Sequence, residues 1–348
     1  MNRIMNAKSR NRRRSGPTQH ANRKALKFGI VTPVLNARAT FKACAASVQA
    51  QCAEIPGAHF VRESASSAVP CEDIAAAFGC DYRRAADAGM YDALGRGLDD
   101  AVAAGCDILG WLNADEQHLP GAFRAVRAAF DADPALDIVF GDYLILGADA
   151  AVLAARREIP ARRLYLRQGV NYLLSCTVFF RSALWIRLGG FDSAYQLLAD
   201  KKFYLHALDA GARAAHLPAF LGTYGSTGQN ISLLPAAAEE QRRLRAEIGA
   251  SPCPVLRRSV RALRCAEKLL RGCYWPRRIE TTLFNADGEP QPFRGRVSTR
   301  WRWNWCATTS PRPPPPRASC RTFAGSAGHR STPELSDRQA AGLRAPLA

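Results

Sequence analysis

Long apolar runs are missing from this chain of 348 residues. The best, "YLLSCTVFF" at 172–180, is about half of the ~20 residues a membrane span needs, so any membrane contact is expected to be peripheral. The eleven cysteines form no CxxC pair and show no Cys/His spacing suited to zinc. Their number is odd and the chain is too long to need disulfide staples, which points to a reducing cytoplasm. The N-terminal "MNRIMNAKSRNRRRSGP" has basic residues without an apolar stretch, so it does not read as a secretory signal. Also absent are internal repeats and any Ser/His/Asp or Cys/His constellation, so no covalent nucleophile suggests itself.

Charge is abundant but confined. The formal net charge is +18, yet residues 28–241 hold 18 basic against 23 acidic side chains. Residues 1–27 hold nine Lys/Arg and no acid, and residues 242–348 hold 21 basic and 7 acidic side chains. A basic footprint for nucleic acid therefore belongs to the ends, and the acidic middle argues against specific nucleic-acid recognition. Binding through the tails alone is an alternative, which predicts steep salt dependence that survives deletion of 28–241. Docking of the basic ends on anionic lipid is another expectation for them.

Four regions follow from composition: a disordered basic tail at 1–25, a folded domain at 26–250, a basic helical/β extension at 251–305, and a low-complexity disordered tail at 306–348. The shift after "RWRWNW" is abrupt enough to suggest a frame change or truncation in the gene, which resequencing would settle. In the folded region strand-like and helix-like stretches alternate. "ALKFGIVTPVL", "AHFVRES", "CDILGWLN" and "LDIVFGDY" read as strands, whereas "CEDIAAAFG", "MYDALGRGLDDAVAAG" and "GAFRAVRAAFDAD" read as helices. Apolar strands without strict alternation imply a mainly parallel sheet covered on both faces, an α/β architecture of the nucleotide-binding kind. Beyond Asp142 the pattern turns mixed. "YLILGADAAVLAARRE" suggests a hairpin, "SCTVFFRSALWIRLGGFD" a strand, short helix and glycine turn, "ADKKFYLHALDAG" a helix and "RAAHLPAFLGTYG" a strand. "RRSVRALRCAEKLLRG" has the spacing of a basic amphipathic helix.

Ligands of open parallel sheets bind beyond the carboxyl ends of the strands. Three such ends carry suggestive groups: "VTPVLNA", "VRESASS" and "LNADE". A diphosphate needs positive charge or a divalent cation, and the hard oxygens of Asp115 suit Mg²⁺ or Mn²⁺. Asp115 equally suits the position before a helix, and Asp200 the first turn of one. Lone His118 and His206 do not make a metal site.

Taken together, "FGIVTPVLNA", "DAGMYDALGRGLDDAVAAGCDILGWLNADEQHLPGAF", "FGDY", "TVFFRSALWIRLGGFD" and "LADKKFYLHALDAGARAAHLPAFLGTY" resemble, in order and spacing, family 2 glycosyltransferases of the GT-A fold. The likeness spans roughly 27–232 and is greatest to members of the bacterial polysaccharide-biosynthesis type. It implies an inverting enzyme that moves a sugar from a nucleotide donor, a UDP-sugar in expectation, to a polysaccharide or lipid-linked acceptor at the cytoplasmic side of the cell envelope. By that resemblance Thr32 and Pro33 pack on the nucleotide, Glu63 contacts the base, and Asp87 and Asp92 lie near the sugar nucleotide. Asn113, Ala114 and Asp115 match the DxD-type motif, with Asp115 as ligand of Mg²⁺ or Mn²⁺, and Asp200 matches the general base. The chain departs from the family at Glu63 and Ala68, where aspartates are usual, at Gly95 for Asn, and at Glu116 for Asp. These departures keep a second reading open, a non-catalytic relative that retains the fold. A nucleotidyltransferase would want a glycine-rich basic loop after the first strand, and "TPVLNAR" has no glycine.

Overall fold

The structure, a computed structural model, describes residues 25–147, 149–226 and 235–299. The tails at 1–24 and 300–348, and with them the expectations of disorder and of a frame change, lie outside the described residues.

The chain opens as β1 (Phe28–Val34), α1 (Arg38–Cys52), β2 (Gly57–Ser64), α2 (Glu72–Ala77), β3 (Asp81–Ala85), α3 (Met90–Ala103) and β4 (Ile108–Trp111). These four strands lie parallel in the order β3-β2-β1-β4. Each crossover is a helix, as parallel neighbours require. In β1, Phe28 and Ile30 point into one apolar layer and Val31 into the other. In β4, Ile108 and Leu109 divide the same way. That is the pleat alternation of a strand buried on both faces. One layer holds Phe41, Cys44 and Val48 of α1 with Phe123, whose ring stacks on Phe28 at 4.5 Å. The other holds Leu94 and Leu98 of α3 with aromatic rings from the back half. Gly97 permits the close seat of α3, since a Cβ there would lie 2.4 Å from Val31 Cγ1.

The back half is mixed, as its sequence pattern suggested. It comprises β5 (Gln117–His118), α4 (Ala122–Ala132), β6 (Ile138–Leu146), β7 (Val152–Arg156), α5 (Arg163–Arg167), a 3-10 turn (Ser175–Thr177), β8 (Phe179–Arg181), α6 (Ser182–Leu188), α7 (Ala199–Asp209) and β9 (Ala214–Gly225). Strand β8 runs antiparallel between β4 and β6, β9 lies parallel to β6, and β5 and the β6–β7 hairpin complete a nine-stranded sheet. Helix α1 and strand β3 are among the elements that the sequence pattern did not announce. Helix α1 buries mainly Ala, Cys and Ser beside Phe41 and Val48, so its core face is weakly apolar. Strand β3 is an exposed edge, "DYRRA".

After residue 234 come α8 (Pro235–Glu247), α9 (Pro254–Leu270) and the antiparallel hairpin β10 (Arg277–Phe284) and β11 (Pro290–Val297). The hairpin packs Ile279, Leu283 and Val297 onto Leu119, Leu144 and Leu146. Gln117 grips Phe284 in both directions, its Nε2 donating to the carbonyl at 2.9 Å and its Oε1 accepting the N–H at 2.8 Å. None of the described helices is long and apolar enough to cross a membrane.

Candidate active site

The loops after β1 and β2 are pinned to each other. Asn36 adopts a positive φ of 52°, a region where asparagine is tolerated better than most residues. Its Oδ1 accepts the Ala68 N–H at 2.8 Å while its own N–H donates to Ser67 Oγ at 3.2 Å. This clasp ties the loop after β1 to "ESASSA" at the end of β2. Pro33 is half-buried at the end of β1. Thr32 is fully buried, and its hydroxyl hydrogen-bonds His59 Nε2 at 2.8 Å. The side chain of Thr32 is thus turned into the α1 layer by strand alternation.

A cleft of about 390 Å³ opens beyond β2 and β3, lined among others by Glu63, Arg83, Asp87 and Arg96. Glu63 is buried, and its Oε2 accepts the Cys71 N–H at 2.9 Å and the Tyr82 hydroxyl at 2.7 Å. Its Oε1 is buried without a hydrogen bond among the described residues. Such an acceptor is costly unless a ligand or water meets it. Asp87 accepts the Gly89 N–H at 3.0 Å. Asp92 accepts the Ala88 N–H at 2.9 Å and pairs with Arg96 at 2.6 Å, one turn along α3. It therefore ties down the start of the helix. A Cβ at Gly95 would meet open space.

Beyond β4 the chain makes a tight turn at Asn113–Glu116. Glu116 is buried, and its oxygens accept the Ser175 hydroxyl at 2.9 and 3.1 Å and the Asn113 N–H at 3.0 Å. Asp115, half-buried, stays nearer solvent. Burial raises both carboxyls above the usual range, and the charge of Asp115 lifts Glu116 further. No cationic side chain among the described residues offsets either of them. The end of β9 closes against this turn, for a Cβ at Gly225 would lie 2.3 Å from Asp115 Oδ2.

Asp200 stands in the first turn of α7. Burial raises its pKa, while the Tyr91 hydroxyl, the Lys201 N–H and the Lys201 ammonium favour its charged form. The Lys201 N–H donates to Oδ1 at 2.6 Å. Lys201 itself is buried, its Nζ donating to Gln241 Oε1 at 2.5 Å, and burial lowers it to about 8. Tyr91, in the first turn of α3, packs edge-on against Phe191 at 5.2 Å. Phe191 in turn meets Trp111 at 5.6 Å, and Trp111 stacks on Tyr204 of α7 at 6.0 Å. Tyr204 feels the charges of both Asp200 and Glu116. An aromatic floor thus joins the end of β4, the start of α3 and the start of α7. Gly89, at φ 117°, allows α3 to begin against the loop before α7, since a Cβ there would lie 2.7 Å from Gln196 Oε1.

Glu116 and Asp200 thus both act on Tyr204 of this floor, Asn113 and Asp115 belong to the same turn as Glu116, and Glu63 and Asp87 line the cleft beyond β2 and β3. Thr32 faces the core and Asp92 secures α3. Tyr91, Lys201, Ser175 and Asn36 were not singled out from the sequence. Among the described residues no three His, Cys, Asp or Glu side chains cluster as a metal cage. A cation such as Mg²⁺ is commonly held by one or two carboxylates plus substrate phosphates. The uncompensated Asp115 fits that donor set, whereas Glu116 is already engaged by Ser175 and Asn113.

The fold is the GT-A fold of glycosyltransferases. In comparison with solved structures, the chain superposes on S. aureus TarS 1-349 in complex with UDP with a TM-score of 0.51, at 14% identity, over 70% of this chain and 72% of that one. In sequence it is 29% identical over 185 residues to a PGL/p-HBAD biosynthesis glycosyltransferase of Mycobacterium tuberculosis (strain ATCC 25177 / H37Ra) and to one of Mycobacterium bovis (strain BCG / Pasteur 1173P2). Each match covers 51% of this chain and 67% of the relative. The chain spans 65% of the length of a second structure of S. aureus TarS 1-349. No family profile matches the chain.

Proposed function

We propose that the protein is an inverting glycosyltransferase that moves a sugar from a nucleotide donor, a UDP-sugar, to a glycan or lipid-linked acceptor. The observation that carries the reading is that the strand leading into the Asp115 turn and the helix bearing Asp200 meet through Trp111 and Tyr204 at the carboxyl end of a GT-A sheet. The likeness to proteins named as glycosyltransferases supports it. Glu63 and Asp87 receive the nucleoside end of the donor in their cleft, and Asp115 and Asn113 meet its diphosphate. Asp115 would hold a Mg²⁺ or Mn²⁺ ion there. When bound, such an ion supplies electrostatic stabilisation of the diphosphate's developing charge.

Asp200 acts as general base. The acceptor hydroxyl oxygen bonds to the anomeric carbon, the bond from that carbon to the diphosphate oxygen breaks, and the hydroxyl proton passes to the Asp200 carboxylate. Tyr91 and the Lys201 N–H hold this carboxylate in place and keep it charged against the effect of burial. Turnover of a panel of nucleotide sugars, with and without Mn²⁺, tests the reading. Asp200→Asn is expected to lower kcat about 10²–10⁴-fold while UDP binding persists. Equal rates in wild type and variant would overturn the mechanism.

One observation favours a second reading, a non-catalytic relative. Both oxygens of Glu116 are engaged inside the protein, so the second acid of the motif is not presented to a donor. That reading predicts saturable UDP binding and no sugar transfer or hydrolysis with any donor.

A further inference from the structure

Helix α9 is mounted the wrong way round for a core helix. Amphipathic helices usually turn their apolar stripe inward. Here the inward side carries Arg264 and Lys268, which meet the buried Glu158 at 2.5 and 3.1 Å, with Val260 beside them. The outward side carries Val255, Ala262, Leu263, Ala266, Leu269 and Leu270 at helical spacing. Leu270 is 88% exposed, Val255 68% and Leu263 53%. Trp275, five residues beyond the helix, is 67% exposed. A continuous exposed stripe of this kind marks an interaction surface rather than scattered surface leucines.

We propose that the outward face of α9, with Trp275, is a docking surface for an anionic lipid membrane. The charge around the stripe identifies the occupant. Arg258, Arg261, Arg271, Arg277 and Arg278 are exposed on the helix and the strand that follows. Residues 242–299 carry 13 basic and 5 acidic side chains, against the acidic balance of 28–241. An apolar helix face bordered by arginines, with an exposed tryptophan at one end, is suited to lie in the plane of a bilayer interface with its leucines in the acyl region and its guanidiniums at the phosphates. A second copy of the same surface would set these arginines against one another. The inference does not depend on sugar transfer.

The experiment is co-sedimentation of the full chain with phosphatidylcholine vesicles containing phosphatidylglycerol, beside vesicles of phosphatidylcholine alone. The double variant Leu263→Ser/Leu270→Ser leaves every charge in place, including those of the basic tails, and touches only exposed positions. Its folding is checked by circular dichroism. Wild type is expected to bind the anionic vesicles, and the variant to bind at least ~10-fold more weakly. Equal binding of the two would assign vesicle contact to the tails and overturn the proposal. Sedimentation velocity without lipid distinguishes the other occupants. A dimer that the double variant abolishes would assign the face to a second copy. A monomeric wild type that ignores anionic vesicles would assign it to a covering segment of the same chain.

Discussion

Asp200 is held between opposing effects, and that tension gives its proposed role a measurable signature. Burial pushes its carboxyl up, and the Tyr91 hydroxyl, the Lys201 N–H and the Lys201 charge pull it down. A general base works in its charged form, so the rate rises with pH through its pKa. Removing the Tyr91 hydroxyl removes one of the downward influences. Tyr91→Phe is therefore expected to move the acid limb of the kcat–pH profile to higher pH, with UDP affinity preserved; an unmoved limb would show that Tyr91 does not act on the base. Two histidines make a separate prediction about stability. Burial lowers His59 and His118 to about 3, below the usual 6.5 of the unfolded chain. The unfolded state then binds more protons between those values, so the stabilisation is whole above pH 6.5 and is lost progressively as pH falls towards 3. At pH 5 each neutral histidine costs the folded state about 2 kcal/mol relative to pH 7. His118 lies against the rings of Phe123 and Phe179 at 5.3 and 5.1 Å, a setting that accepts another ring. His118→Phe is expected to lose less Tm than wild type between pH 7 and pH 5, by calorimetry at the two values.

Elements meet at the site by their ends, and the tightest meeting is that of β9 with the turn after β4. A methyl group at 225 would overlap Asp115, so Gly225→Ala must displace either the carboxylate or the strand end. Small misplacements of a positioning group cost up to ~100-fold in rate. The expected result is a loss of turnover of that order and weaker dependence on Mn²⁺, with Tm little changed because the position ends the strand. Unchanged kinetics would mean that Asp115 is not where the donor's diphosphate is held. The same end-to-end assembly explains what the sequence could and could not disclose. Elements whose burial is local, such as β1, β4, α3 and α4, are legible because the periodicity of their apolar residues records the layers they face. Helix α1 is not, since it packs with alanine and cysteine, and β3 is an edge whose side chains pair with solvent and with Asp100 through Arg83 at 2.8 Å. At the site, Asp115 and Asp200 stand out because carboxylates at strand and helix ends are conspicuous. Tyr91 does not, because its significance comes from a partner 109 positions away, and a tyrosine in a helix pattern reads as core. Glu116 looked like a longer copy of a ligand. Only the position of Ser175, 59 positions away, reveals that its carboxylate is engaged internally.

Across the whole molecule, the segment after residue 250 is fastened by polar contacts at one end and apolar ones at the other. Ile279, Leu283 and Val297 close the layer over Leu119 and Leu144, whereas α9 is secured through Glu158, 3% exposed across its side chain, with Arg264 at 14% and Lys268 at 5%, and through Glu267, which accepts from Arg162 and from the Tyr165 hydroxyl, each at 2.9 Å. The Cys273 thiol also donates to the Glu158 carbonyl at 3.5 Å. This arrangement leaves the apolar face of α9 free, and it is vulnerable for the same reason. Buried ion pairs bring little net stability, but removing one partner strands the others without compensation. Glu158→Ala would leave two buried cations facing each other, and a loss of about 3–5 kcal/mol is expected in urea unfolding. Replacing Glu158, Arg264 and Lys268 together by methionine removes the charges as a set, and such exchanges are often neutral or stabilising. The triple variant is therefore expected to recover most of the stability that Glu158→Ala loses. If it stays as unstable as the single variant, the charges serve to fix the orientation of α9. In that case the freed helix would turn its leucines inward, and the exposure of Trp275 to a soluble quencher would report the rotation.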